Sequence, residues 1–120
     1  MMKVQDLPAY RSAAKLAQSI FEISKQFPQE EFEIVTKPMR LSSRNVCVHL
    51  SEAMHRTKFV KYYQTTLIDA NSANGQTYTW LELAANCNYI DAETLAPMLN
   101  RCTAIGTMIQ HMMDHPERFK

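Results

Sequence analysis

The feature of this sequence that most restricts its fold is one unbroken helical stripe from residue 59 to residue 87. Apolar and small residues recur there in alternating steps of four and three for eight intervals. This spacing puts them on one side of an α-helix about 45 Å long. Such a helix needs partners of similar length to cover it, so the stripe predicts a bundle. Its members are Phe59, Tyr63, Thr66, Ala70, Ala73, Thr77, Trp80, Ala84 and Cys87.

One dipeptide inside the stripe, Asn74-Gly75, is by itself a hairpin signal. The periodicity continues across it without a change of phase, so we predict a continuous helix with a weak point of about 1 kcal/mol at the glycine. The whole chain has only two glycines. That number is low for a sheet protein, which needs many tight turns, and it suits long helices with short connections.

Three further helices are predicted from the same spacing, and all four form a single domain, residues 1–120. Asp6 is the candidate N-cap of the first helix, which stops at Phe27-Pro28 because the residue before a proline avoids helical geometry. Thr57 is the candidate N-cap of the third helix. Asp91, or alternatively Thr94, is that of the fourth. The four predicted helices cover residues 6–27, 29–53, 57–88 and 91–115.

The second helix carries a proline, Pro38, in its interior. There it removes one hydrogen bond and clashes with the preceding turn, which costs about 3 kcal/mol. We therefore expect a kink or a break of helix 2 near this residue. The predicted fold class is all-α, an antiparallel up-and-down four-helix bundle.

Cysteine usage and hydropathy indicate a cytoplasmic protein. Cys47, Cys87 and Cys102 are far apart and sit among helical residues, so we interpret them as reduced thiols in the core. No apolar run approaches the roughly 18–20 residues that a membrane span requires. The N-terminal residues lack the apolar segment of a signal peptide.

Charge is unevenly distributed along the chain. Residues 37–61 hold six basic residues and one acid, a local charge of +5, whereas the whole chain has a net charge of +1. Such an excess indicates an anionic partner, although a solvated surface is the ordinary explanation of a basic stripe. Nucleic acid and an acidic protein both satisfy this pattern. The candidate nucleic-acid-binding residues are Lys37, Arg40, Arg44, Arg56, Lys58 and Lys61.

No catalytic, cofactor or small-molecule site is predicted. Glu52 and His55 have the spacing of one carboxylate-bridged di-iron motif, but a second motif is missing. A third hypothesis, an enzyme or a metal carrier, depends only on His111 and His115, four residues apart at a helix end. Some aromatic residues could stack on bases, although their helical spacing is more typical of a core. These are Tyr62, Tyr63, Tyr78 and Trp80.

Over nearly its whole length the chain resembles a bacterial family of four-helix bundles, the 23S ribosomal RNA intervening-sequence proteins. Its departures from the family pattern are Pro38 in place of Gln, His49 and Ala53 within the family's Asn-Ile-Ala-Glu-Gly motif, and Gln76 in place of Glu. The resemblance depends on Ala13, Leu16 and Ala17, on Phe27-Pro28 with Glu31, on Arg40, on Leu50-Ser51-Glu52, on Arg56 and on Asn88-Tyr89-Ile90.

The resemblance implies a bundle that assembles into a ring-like homo-oligomer, a pentamer. The chain is also similar, more distantly, to the accessory proteins of diversity-generating retroelements, which share that assembly and bind nucleic acid. A ring would repeat the basic segment around an axis, so that several weak phosphate contacts act together. The expected function is therefore non-enzymatic binding of nucleic acid, with RNA preferred. The alternative is a protein-interaction scaffold with an acidic partner.

Overall fold

The structure is a computed structural model that describes residues 2–120. Its main elements are four α-helices in a bundle about 45 Å long. Each helix packs on the next one along the chain, and the first also packs on the last. The predicted all-α four-helix bundle is therefore confirmed. The helices are α1 (Pro8–Ser24), α2 (Lys37–Met54), α3 (Val60–Asn86) and α4 (Ala92–Asp114).

All four helices contribute to one apolar core. Ile20 of α1, Leu50 of α2, Leu67 of α3 and Ile105 of α4 are completely buried. Burying a side chain of this kind stabilises the fold by roughly 1.5–3 kcal/mol. The core therefore fixes which side of each helix faces the solvent, and with it the position of every surface residue discussed below.

The predicted stripe of α3 is confirmed in its middle and wrong at both ends. Its members from Tyr63 to Ala84 are buried, except for the half-buried Trp80. Phe59 and Cys87 are exposed because α3 begins after the first and ends before the second. The helix is continuous across Asn74-Gly75, as predicted.

The expected break of helix 2 near Pro38 is confirmed. A 3₁₀ turn, Gln29–Glu31, leads into a π-helical segment, Phe32–Thr36, and α2 starts only at Lys37. Pro38 is thus in the first turn of α2, directly after the π-helical segment, where a proline is better tolerated than in a helix interior. The predicted start of an α-helix at residue 29 is wrong for the same reason.

Of the predicted N-caps, only Asp91 is confirmed. Its carboxylate accepts the backbone N–H of Thr94 at 2.8 Å, and this bond lowers the pKa of Asp91. Asp6 lies in a separate 3₁₀ turn, so the N-cap of α1 is Leu7. Phe59, not Thr57, is the N-cap of α3, again without a side-chain hydrogen bond.

The remaining boundaries differ from the predicted ones by one to three residues. α1 ends at Ser24 instead of Phe27, α3 covers Val60–Asn86 instead of residues 57–88, and α4 ends at Asp114. The predicted set of core thiols is wrong for the exposed Cys87, which follows the last residue of α3. Cys102 is buried, and burial raises its pKa to about 11. Among the described residues, no helix combines the length and the apolar character needed to span a membrane.

Candidate nucleic-acid interface

The six candidate basic residues occupy opposite ends of α2. Lys37, Arg40 and Arg44 lie in the first half of this helix, whose 18 residues extend over about 27 Å. Arg56 follows the end of α2. Lys58 and Lys61 lie in the connection to α3 and in its first turn. The structure therefore separates the predicted basic face into two groups.

Two members of the first group, Arg40 and Arg44, lie beside the ring of Phe21, which projects from α1 towards α2. The guanidinium carbons of Arg40 and Arg44 lie 4.7 and 5.4 Å from the ring centroid. The Nζ atom of Lys25, a residue that the sequence argument did not select, lies 4.8 Å from the same centroid. Cations attracted to one ring are held close together despite their mutual repulsion. We call Lys25, Arg40 and Arg44, with Phe21, the Phe21 cluster, and Lys37 lies three residues before Arg40 on α2.

Arg40 is the most firmly positioned cation of the Phe21 cluster. Its Nε atom donates a hydrogen bond of 2.8 Å to the hydroxyl of Ser24, a buried residue at the end of α1. Its guanidinium also lies 5.8 Å from the ring centroid of Phe32. A cleft of about 220 Å³ beside it is lined by Ser24, Lys25, Phe32 and the buried Thr36. The side chain is thus fixed at the edge of a small polar depression.

The arginines of the Phe21 cluster have no carboxylate partner. Within residues 2–120, no Asp or Glu oxygen lies within 4.0 Å of the nitrogens of Arg40 or Arg44. Lys37 pairs with Glu33 at 3.4 Å and Lys25 with Glu22 at 3.2 Å. Exposed pairs of this kind contribute at most about 1 kcal/mol each, so an anionic ligand can compete for these lysines.

The second group lies at the other end of α2. Arg56 is held within the protein, because its Nη1 atom donates to the hydroxyl of Thr66 at 3.2 Å and its Nη2 atom lies 3.5 Å from Glu52. Lys58 and Lys61 are exposed, and neither has a carboxylate within 4.0 Å among the described residues. We call Arg56, Lys58 and Lys61, with the neighbouring rings of Phe59 and Tyr62, the turn cluster.

Each lysine of the turn cluster is followed in the sequence by an aromatic residue, Phe59 after Lys58 and Tyr62 after Lys61. Phe59 is 62% exposed and Tyr62 is 61% exposed, and their centroids are 6.4 Å apart with the ring planes at 75°. Of the candidate stacking residues, Tyr63 is buried and Tyr78 and Trp80 are half-buried, which leaves Tyr62 alone accessible. Phe59 was not among the predicted stacking residues, because the periodicity of the α3 stripe assigned it to the core.

A third exposed feature follows the outer side of α2. Leu41 and Val48 of α2 are seven residues apart and are 58% and 59% exposed, and Ile34, seven residues before Leu41 in the π-helical segment that leads into α2, is 64% exposed. Lys37 and Arg44 lie four residues before and three after Leu41, so they flank it on the helix surface. A row of apolar residues at heptad spacing is typical of a helix that contacts another protein surface. We call Ile34, Leu41 and Val48 the α2 stripe.

The histidine pair considered for metal binding is close together. The rings of His111 and His115 have centroids 4.7 Å apart, at the end of α4. The described residues contain no group of three or more His, Cys, Asp and Glu side chains arranged around a common metal position. Glu52, from the incomplete di-iron motif, instead lies 3.5 Å from Arg56 and 3.6 Å from the half-buried His49.

Comparison with known families agrees with the resemblance noted in the sequence. The sequence matches the model of the 23S rRNA-intervening sequence protein family over residues 5–111. This span includes the Phe21 cluster, the turn cluster and almost all of α4. No individual curated protein matches the sequence.

Proposed function

We propose that this chain, which belongs to the 23S rRNA-intervening sequence protein family, is a cytoplasmic, homo-oligomeric, non-enzymatic protein that binds RNA. The observation that carries the proposal is the pair Arg40 and Arg44. These two guanidinium groups lie over Phe21 without a carboxylate partner among the described residues. The family name refers to ribosomal RNA, which makes RNA the first polyanion to test.

The geometry of the Phe21 cluster suits phosphate. A guanidinium group offers several N–H donors in a fixed plane that match phosphate oxygens. The bond from Arg40 to Ser24 uses Nε and leaves the terminal nitrogens of Arg40 available to a ligand. Because the ring and Ser24 already hold Arg40, less side-chain entropy is lost on binding. Each phosphate contact releases counterions, so affinity falls as salt rises.

Self-association is proposed from the α2 stripe. Three large aliphatic side chains exposed at heptad spacing favour burial against a second copy of the chain. The resemblance to known bundles implies five copies. Repeating both basic clusters around a ring would let one RNA contact several subunits, which can raise the overall affinity by about 10²–10⁴.

The second candidate function is a scaffold for an acidic protein. The observation that favours it is the same α2 stripe, because Lys37 and Arg44 flank its apolar side chains. An amphipathic acidic helix could place apolar residues on the stripe and carboxylates on the cations. This candidate predicts specific capture of a protein and no retention of RNA.

The test is binding of a structured RNA by the purified protein between 50 and 200 mM salt, by fluorescence anisotropy. We expect Arg40→Ala/Arg44→Ala to bind about tenfold more weakly at the low salt and to reduce the slope of log affinity against log salt by about 1.5. Lys15→Ala/Arg118→Ala is the matched control, since it removes two exposed cations outside both clusters. Absence of binding at the low salt, or an unchanged double arginine variant, would refute the proposal.

A further inference from the structure

The exposed rings of the turn cluster are exceptional within this protein. The chain has eleven Phe, Tyr and Trp residues, all within the described part, and only Phe59 and Tyr62 are classed as exposed. The others are buried or half-buried in the bundle. Complete burial of such a ring would stabilise the fold by roughly 1.5–3 kcal/mol, and much of this stabilisation is absent while the ring is exposed. More than half of each side chain faces the solvent, so their surroundings indicate what they could bind.

We propose that the turn cluster is a stacking site for unpaired bases of single-stranded RNA. Phe59 and Tyr62 would stack on bases, while Lys58 and Lys61 contact the phosphates beside them. This inference rests on the proposed RNA binding and deepens it, because it assigns the single-stranded part of the ligand to one end of the bundle.

The arrangement of the two rings leaves room for bases. Their planes meet at 75°, edge to face, so the rings do not cover each other with parallel faces. A base has its own π-face and can lie flat on an aromatic side chain, a contact that contributes roughly 1–3 kcal/mol and tolerates any base. Bases inside a duplex are already stacked on each other, so only an unpaired segment can present them in this way.

The charges around the rings match a single strand as well. Lys58 and Lys61 alternate with Phe59 and Tyr62 along the chain. Both lysines lack an ion-pair partner among the described residues. Proteins that bind single strands combine a cationic track for the backbone with aromatic side chains for the bases. The α2 stripe differs in kind, since it has only aliphatic side chains and is better suited to contact with protein.

The experiment compares a single-stranded uridine-rich 12-mer with a 12-base-pair RNA duplex at several salt concentrations. We expect Phe59→Leu/Tyr62→Leu to bind the single strand roughly tenfold more weakly at every salt, because stacking is lost while the apolar volume remains. Its salt slope and its affinity for the duplex should not change. Phe59→Tyr/Tyr62→Phe retains both rings and should bind like the wild type. Lys58→Ala/Lys61→Ala should instead reduce the salt slope.

The outcomes separate this inference from the proposed function. If the wild type binds neither RNA, both fail. If it binds RNA and the leucine variant binds the single strand as tightly as the wild type, stacking is refuted while RNA binding stands. A leucine variant with unchanged affinity but a smaller mass in light scattering would assign the rings to contact between copies. A circular dichroism melt of each variant verifies that it is folded.

Discussion

Aromatic residues lie at both ends of this bundle, but they contact other parts of the protein at one end and face the solvent at the other. At the end that contains the Phe21 cluster, the connections are bonded to each other. The hydroxyl of Tyr89 donates to the carboxylate of Glu31 at 2.9 Å, and the rings of Phe27 and Tyr89 are 5.5 Å apart. At the opposite end, the rings of Phe59 and Tyr62 are exposed. At one end, which we call the closed end, side chains join the two connections. At the other end, the aromatic side chains face the solvent.

Basic and aromatic residues that lie close in space therefore do not define a single kind of binding site. In the Phe21 cluster the cations lie against the ring, so the protein itself uses that aromatic face. A ligand at the Phe21 cluster can therefore contact the positioned cationic groups but not the face of the ring. In the turn cluster the two rings and the two lysines are exposed, while Arg56 is held by Thr66 and Glu52. We therefore expect the Phe21 cluster to bind phosphates only, and the turn cluster to add stacking.

A substitution that separates the subunits should reduce RNA affinity more than any other change, because one RNA could then no longer contact several subunits. Leu41→Gln places an amide in the centre of the α2 stripe without changing the charge beside Lys37 and Arg44. Because an amide buried without a hydrogen-bond partner costs roughly 1–3 kcal/mol at every copy of the contact, we expect the oligomer to dissociate into monomers. Affinity for a long structured RNA should then fall by about 100-fold, since multivalent contact is lost. Light scattering measures the mass, and anisotropy measures the affinity.

Ser72→Gln is the matched control for this variant. It adds the same side chain at an exposed position on α3, outside the α2 stripe. It should leave the mass unchanged. A short oligonucleotide that one subunit can hold should also bind Leu41→Gln nearly as well as the wild type. A wild-type protein that is already monomeric would contradict the assignment of the stripe.

The next effect concerns stability and compares the two aromatic sites directly. Phe21→Leu removes a half-buried ring together with its contacts to three cations. We expect the free energy of unfolding to fall by about 1–3 kcal/mol, which urea denaturation measures. Phe59→Leu, at the exposed site, should change it by less than about 0.5 kcal/mol. Equal losses at both positions would show that the Phe21 cluster is not held by its ring.

The sequence allowed prediction of the bundle because periodicity reports which side of a helix is buried. It did not locate the start of α3, since no side chain caps that helix and the residue in the N-cap position is apolar. The error at Phe59 follows from this. The 3–4 spacing reports a buried side only for residues within the helix. Phe59 lies one residue before the start of α3, so the spacing does not apply to it.

The candidate site was predictable as a set of residues but not as an arrangement. Lys37, Arg40 and Arg44 share α2, so their spacing describes them correctly. Arg56 and the two lysines after it lie beyond the end of α2, where that spacing no longer applies. Lys25 could not be found from local sequence, because it joins the Phe21 cluster only through the packing of α1 on α2.

The smallest expected effect tests whether the closed end is held by its hydrogen bond. That bond raises the pKa of Tyr89 to about 12 from an ordinary value near 10. A raised pKa in the folded state means that the bond stabilises the protein fully below pH 10 and that this contribution is lost as the pH rises towards 12. Thermal melts between pH 7 and pH 12 should therefore show Tyr89→Phe slightly less stable than the wild type at pH 7 and less sensitive to alkaline pH.

Tyr63→Phe is the informative contrast, because burial alone raises the pKa of Tyr63 to about 12. The hydroxyl of Tyr63 is buried and has no hydrogen-bond partner within residues 2–120, so its removal should not lower stability at pH 7. Both variants should decline less than the wild type at alkaline pH, since each loses a tyrosine that resists ionisation in the folded state. Only Tyr89→Phe should lose stability at neutral pH. If the two variants melt alike at pH 7, the bond from Tyr89 to Glu31 does not hold that end closed, and the contrast between the two ends rests on the Phe21 cluster alone.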